Sequence, residues 1–217
     1  MIHKTRTLLM TVVAALAVAA PALAGPPLLC HPFDIGAAKS LPWVGEKNWF
    51  EGRPDYKLDH LVADTEALLT PSVPVIVRME TLRRAALYAS TDARVASDLV
   101  KRLISRAEAS EVAGQPDAIA YLDAAYLAGA LNEITMLARS QGFETRSEVA
   151  RQVKGSLDAY ALIRKSVALR PADPAIQFAA ALIASDDHRG EYPAHAAKAR
   201  AGSGGDALLA RNLDHVQ

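Results

Sequence analysis

Residues 156–184, SLDAYALIRKSVALRPADPAIQFAAALIA, constrain the chain more than any other stretch, because the local signals there agree on one unit: helix, Pro turn, helix. Leu157, Tyr160, Ala161, Ile163, Arg164, Val167 and Ala168 contain the i, i+3, i+4, i+7 series of an amphipathic helix, with Arg164 and Lys165 able to face water. Arg170-Pro171 stops it, since the residue before a proline is pushed out of the α region and a basic residue is favourable at a helix C-terminus. Asp173-Pro174 restarts the chain as an N-cap followed by Pro at the first helical position, where its missing N–H loses no bond. Ile176, Phe178, Ala179, Ala181, Leu182 and Ile183 supply the second helix, and so short a link makes the two antiparallel neighbours.

The unit resembles a tetratricopeptide repeat boundary, in which a helix ending K-A-L-x-L-x-P passes through two polar residues into the next repeat. It stands here as Lys165-Ser166-Val167-Ala168-Leu169-Arg170-Pro171-Ala172-Asp173, with the family's earlier small residue present as Ala159. Gly190-Glu191-Tyr192 is similar to the G-D-Y turn between repeat helices, whereas Ser166 replaces an alanine and the early aromatic of the next helix is offset to Phe178. The match covers about the last ~60 residues. It implies an all-α fold in which antiparallel helix pairs stack as a superhelix, with a concave surface for a partner.

At the other end, residues 1–24 read as a secretory signal peptide: Lys4 and Arg6, an apolar run over 8–20, and the small-x-small site Ala22-Leu23-Ala24. The run is too short to span a bilayer. Cleavage between Ala24 and Gly25 places the protein in the periplasm or outside the cell. Cys30 follows closely enough to raise lipid attachment, but Leu29 occupies the position where a lipobox requires a small residue. Without the leader the chain carries 22 basic and 24 acidic residues, interspersed, so no basic face marks a nucleic-acid partner. A single cysteine permits no internal disulfide.

Residues 25–54 form a Trp/Pro-rich segment without helical period, holding both tryptophans, Trp43 and Trp49, together with Phe33 and Phe50. So many aromatics must cover something: either the segment is a strap over one end of the array, or Trp43, Trp49 and Phe50 line a partner-binding surface. From residue 55 to 217 the pattern is helical. A stripe of Leu58, Leu61, Val62, Thr65, Leu68 and Leu69 comes first; a helix from Ser72 or Pro74 to about Tyr88 follows; Thr91-Asp92 caps a third. Glu80 and Arg84, one turn apart, read as a solvated surface bridge. Residues 116–138 are apolar on nearly all sides and predict the central buried helix, with Gly129 marking close approach of a neighbouring helix. Ser140-Gln141-Gly142 ends it, Thr145 or Ser147 opens the next, Gly155 marks a break, and Asp206 caps the last.

Asp123, a carboxylate set among Tyr121, Leu122, Tyr126 and Leu127, is the oddest residue in the chain. Buried alone, it would be a candidate acid, with Tyr126 beside it in a ligand pocket; on an exposed edge or paired with an arginine it would be structural. Cys30-His31 lacks the second cysteine of a haem attachment motif, and neighbours in an extended segment point apart, which sets His31 badly to activate Cys30. Asp186, Asp187, His188, Glu191 and His195 lack metal-site spacing. There is no phosphate loop, dinucleotide fingerprint or G-x-S-x-G elbow.

The expectation is therefore an exported, non-catalytic helical-repeat protein that binds a protein or peptide partner in the cell envelope, without metal or cofactor. The alternative is an enzyme or small-ligand binder with an interior pocket near Asp123. If the leader reading holds, intact-mass measurement of the chain from its producing cell gives a polypeptide beginning at Gly25 without lipid; a chain retaining Met1, or lipidated on Cys30, contradicts it.

Overall fold

The computed structural model describes residues 25–44, 49–140, 142–185 and 190–216. The leader, part of the Trp43–Phe50 segment and, of the polar group without metal-site spacing, Asp186, Asp187 and His188 lie outside those ranges. The described residues contain nine α-helices and no strand, only an isolated antiparallel bridge between Trp43 and Gly52.

Helix starts follow short-range chemistry. Asp92, Asp117, Asp158, Asp173 and Asp206 each accept hydrogen bonds from backbone N–H groups of the turn they open, a cap worth about 1 kcal/mol. They start α3 (Ala93–Val112), α4 (Ala118–Met136), α6 (Ala159–Leu169), α7 (Pro174–Ala184) and α9 (Ala207–Arg211). Pro74 precedes α2 (Val75–Ala89), and α8 (Tyr192–Gly202) carries Pro193 in its first turn. Gly155, at φ +53°, separates α5 (Glu144–Lys154) from α6. Three boundaries differ from expectation, the first being that α4 ends at Met136, ahead of Ser140. The first stripe opens as a 3-10 turn over Leu58–His60 before α1 (Leu61–Leu68), and α5 begins before both Thr145 and Ser147, after Phe143.

Helices α2, α4 and α7 touch one another, and most of their residues are buried. The amphipathic α3 and α6 flank α4, and α8 flanks α7. Helix α4 is the hub, packing against α2, α3, α5, α6 and α7. Its alanines at 120, 124, 125, 128 and 130, with Gly129, keep its girth small, so several neighbours approach it with little side-chain ordering cost.

Residues 25–44 and 49–57 run over this core without helix, yet Leu28, Leu29, Phe33 and Leu41 are buried. The space at Gly129 accommodates this strap: a Cβ there would come within 2.7 Å of Leu28 Cδ1, closer than either helical neighbour, Ala159 or Ile183. The close approach expected of a helix is thus made by the strap. Gly52 lies flat against the Tyr88 ring, where a Cβ would overlap it. That ring cannot swing aside, because its hydroxyl donates to Pro42 O at 2.6 Å and accepts from Arg53 N at 2.8 Å. Gly52→Ala should therefore lower the unfolding free energy in urea by about 2–3 kcal/mol. Gly204→Ala, in open space, should change it by under ~0.5 kcal/mol; equal effects would mean the strap is not packed as described.

Candidate functional site

The strap is irregular, turning at Pro26–Cys30 and Ile35–Ala38, and where Leu28, Leu29, Phe33 and Leu41 bury it without a sheet partner its main-chain polar groups need side-chain partners. Helices α2 and α4 supply them. Leu28 N–H donates to both carboxylate oxygens of Glu133 at 3.0 Å, and Leu28 O accepts from Tyr126 Oη at 2.7 Å. Arg83 Nη1 donates to Leu29 O at 3.2 Å and Trp49 O at 2.7 Å. Phe33 N–H donates to Glu80 Oε2 at 3.1 Å, and Arg84 Nη1 donates to Leu41 O at 2.6 Å. From the C-terminal end, Asn212 brackets Asp34, accepting from its N–H at 2.8 Å and donating to its carbonyl at 3.0 Å.

Glu80 is the centre of this arrangement and not a surface residue. It is fully buried, accepting from Arg83 Nε and Nη2 at 2.8 and 2.9 Å and from Arg84 Nε at 2.6 Å. The solvated Glu80–Arg84 bridge expected from spacing is thus a buried network. Burial opposes ionisation of Glu80, but the two guanidiniums outweigh it and hold the carboxyl below its usual range. The helical period alone would show these positions facing the core; nothing in it shows that charged residues there would be satisfied by a segment some fifty residues earlier.

The expected partner-binding aromatics divide. Trp43 stands edge-on to Tyr88 at 5.4 Å, with the guanidiniums of Arg83 and Arg84 over its ring at 5.2 and 5.9 Å. It lines an open cavity of about 530 Å³, whose other walls include Phe33, Ile35, Glu80, Arg83 and Arg84. Trp49 instead stacks on Phe143 at 5.4 Å, and Phe50 joins that cluster. The sequence reading missed Phe143, the buried aromatic just before α5 on which both converge.

Asp123 and Tyr126 share α4 but not a site. Asp123 is fully buried and bridged by Arg78, from Nε to Oδ1 at 2.8 Å and Nη2 to Oδ2 at 2.5 Å, with Arg106 also on Oδ2. Arg78 also donates to Thr70 O at 2.7 Å and Leu69 O at 3.1 Å, so the triad ties the α1–α2 link to α4 and α3. Of the readings open from sequence, the arginine pair is the one the geometry has. Tyr126 is buried among strap contacts, and burial followed by the Glu133 carboxylate holds its phenol protonated.

Cys30 is half-buried, its thiol pushed up to about 11, by burial first and then by Glu133, against the influence of Arg83. It is therefore a thiol at neutral pH, without the activation a nucleophile needs. Its neighbour His31 meets His215 edge-on at 6.2 Å, and His215 stacks on Phe33 at 4.8 Å. Burial, then His31, lowers His215 to about 4, so it packs there as a neutral ring. No group of three or more His, Cys, Asp or Glu among the described residues is disposed to hold a metal, and none of their helices is long and apolar enough to cross a membrane.

The chain matches no protein-family model, no curated protein and no solved structure. If Asp123 is structural, Asp123→Asn should lower unfolding free energy by ~3 kcal/mol, because Arg78 and Arg106 keep their charge and lose its counterpart. Thermal melts should show the loss with helical circular dichroism retained below the transition. Unchanged stability would return Asp123 to the list of functional candidates.

Proposed function

We infer that the protein is an exported, non-catalytic scaffold of tetratricopeptide-like helix pairs that binds a protein or peptide partner in the cell envelope. One observation carries the reading: the α2–α4 face already grips a non-helical segment, the chain's own strap, with side-chain hydrogen bonds to its main chain, and leaves the cavity at Trp43 open beside it. Recognition through main-chain groups is how a surface accepts an extended segment with few demands on its sequence. The repeat-like part of the reading is supported by order in the chain: inner helices α2, α4 and α7 are followed by outer α3, α6 and α8, with α5 inserted before α6. The small-ligand alternative at Asp123 has no comparable support, since both carboxylate oxygens are taken.

The test is photo-crosslinking in the producing cell. A photoreactive residue at Ala37, exposed near the cavity rim, should form a discrete adduct with an envelope protein or peptide. The same residue at Val112, 89% exposed at the end of α3, should not. Identical patterns from both positions, or none from Ala37, would remove the partner-binding reading.

A further inference from the structure

The cavity beside Trp43 has an unbalanced floor. Glu80 brings one carboxylate and Arg83 and Arg84 two guanidiniums, all three lining the same space, so the buried network carries an excess positive charge there. Arg83 is completely buried and committed to Glu80 and the strap carbonyls. Arg84 is different. Its Nε is used by Glu80 and its Nη1 by Leu41, but Nη2 has no hydrogen-bond partner among the described residues, and the side chain keeps 19% of its surface. An uncommitted guanidinium nitrogen above a buried positive excess favours a ligand oxygen that carries charge.

The walls define the rest of the ligand. Trp43 presents an aromatic surface, and Phe33 and Ile35 add apolar sides. Among the described residues the rim carries one acid, Asp34, which is exposed; its Oδ1 accepts from Gly36 N–H at 2.9 Å and faces Arg211 at 3.9 Å, so its charge is partly met from outside the cavity. A bare inorganic anion would leave those apolar walls uncovered.

We propose that this cavity recognises a carboxylate borne next to an apolar group, as at the C-terminus of a peptide ending in an apolar residue, with Arg84 receiving the carboxylate and Trp43 the apolar part. The inference rests on the partner-binding reading above and specifies what that site accepts. One oxygen bound at Nη2 is a charge-assisted hydrogen bond, strong enough to separate an acid from its amide.

The experiment is a fluorescence titration of the full mature chain carrying Trp49→Phe, which leaves Trp43 as the only tryptophan. The probes are N-acetyl-alanyl-leucine as free acid, the same dipeptide as C-terminal amide, and phenylacetate. The expected result is a saturable change with the acid and at least about tenfold weaker binding of the amide. Comparable binding of phenylacetate would identify small carboxylates as sufficient, and its failure would identify peptide termini as the ligand. Arg84→Gln should erase the acid–amide difference. Because that change also releases Leu41 O, Ile35→Glu serves as a second variant, weakening the acid selectively from the cavity wall. Equal binding of acid and amide, or retained preference in both variants, overturns the carboxylate inference while leaving peptide binding in place. No binding of any probe also overturns it, and the Ala37 crosslink then decides separately whether a partner site exists.

Discussion

The structure depends on buried charge meeting buried backbone. Glu133 and Glu80 face the core on α4 and α2, and each accepts an N–H of the strap, at Leu28 and Phe33. Arg83 and Arg84 neutralise Glu80 and extend to the carbonyls of Leu29, Leu41 and Trp49. A buried carboxylate without partners costs several kcal/mol, and so does a buried main chain without them. Here the two liabilities offset each other. The helices therefore need the strap as much as it needs them, and an incoming segment that replaced it would have to supply the same main-chain groups as the strap left.

That mutual need sets the architecture. Helix α4 is slim enough to be surrounded on many sides because alanine and glycine dominate its middle. The same thinness brings Leu28 of the strap against Gly129. On the α2–α3–α4 side, away from the strap, the Arg78–Asp123–Arg106 triad plays the equivalent part, joining the carbonyls at the end of α1 to the hub. One ionic cluster thus ties α2 to α4 and the other ties α2 to the strap, and they differ in access. The triad reaches solvent only through Arg106, whereas the Glu80 network underlies the cavity beside Trp43.

Much of the helical layout was legible in the chain. The caps at Asp92, Asp173 and Asp206, the Pro174 start, the break at Gly155 and the buried run around residues 116–138 all depend on interactions within four or five residues. Asp123 was legible as anomalous, and an arginine partner was among its expected fates, though not which arginine. Glu80 and Arg84 misled because i, i+4 spacing describes a surface bridge and a buried one equally well. Trp43, Trp49 and Phe50 were legible as aromatics needing cover, but their division between an open cavity and the Phe143 cluster was not.

Sequence alone determined where most of the helices lie and most of the positions that turn inward, because capping, proline geometry and apolar period act along the chain over one or two turns. Tertiary structure decided what the inward faces meet. Glu133 and Leu28 are 105 residues apart, and Asn212 and Asp34 are 178 apart. No local pattern encodes such pairs, since each residue's propensity is the same with or without its partner. Only when α2, α4 and the strap share one dry interior does a carboxylate that would otherwise face water become the fastening of a buried main chain.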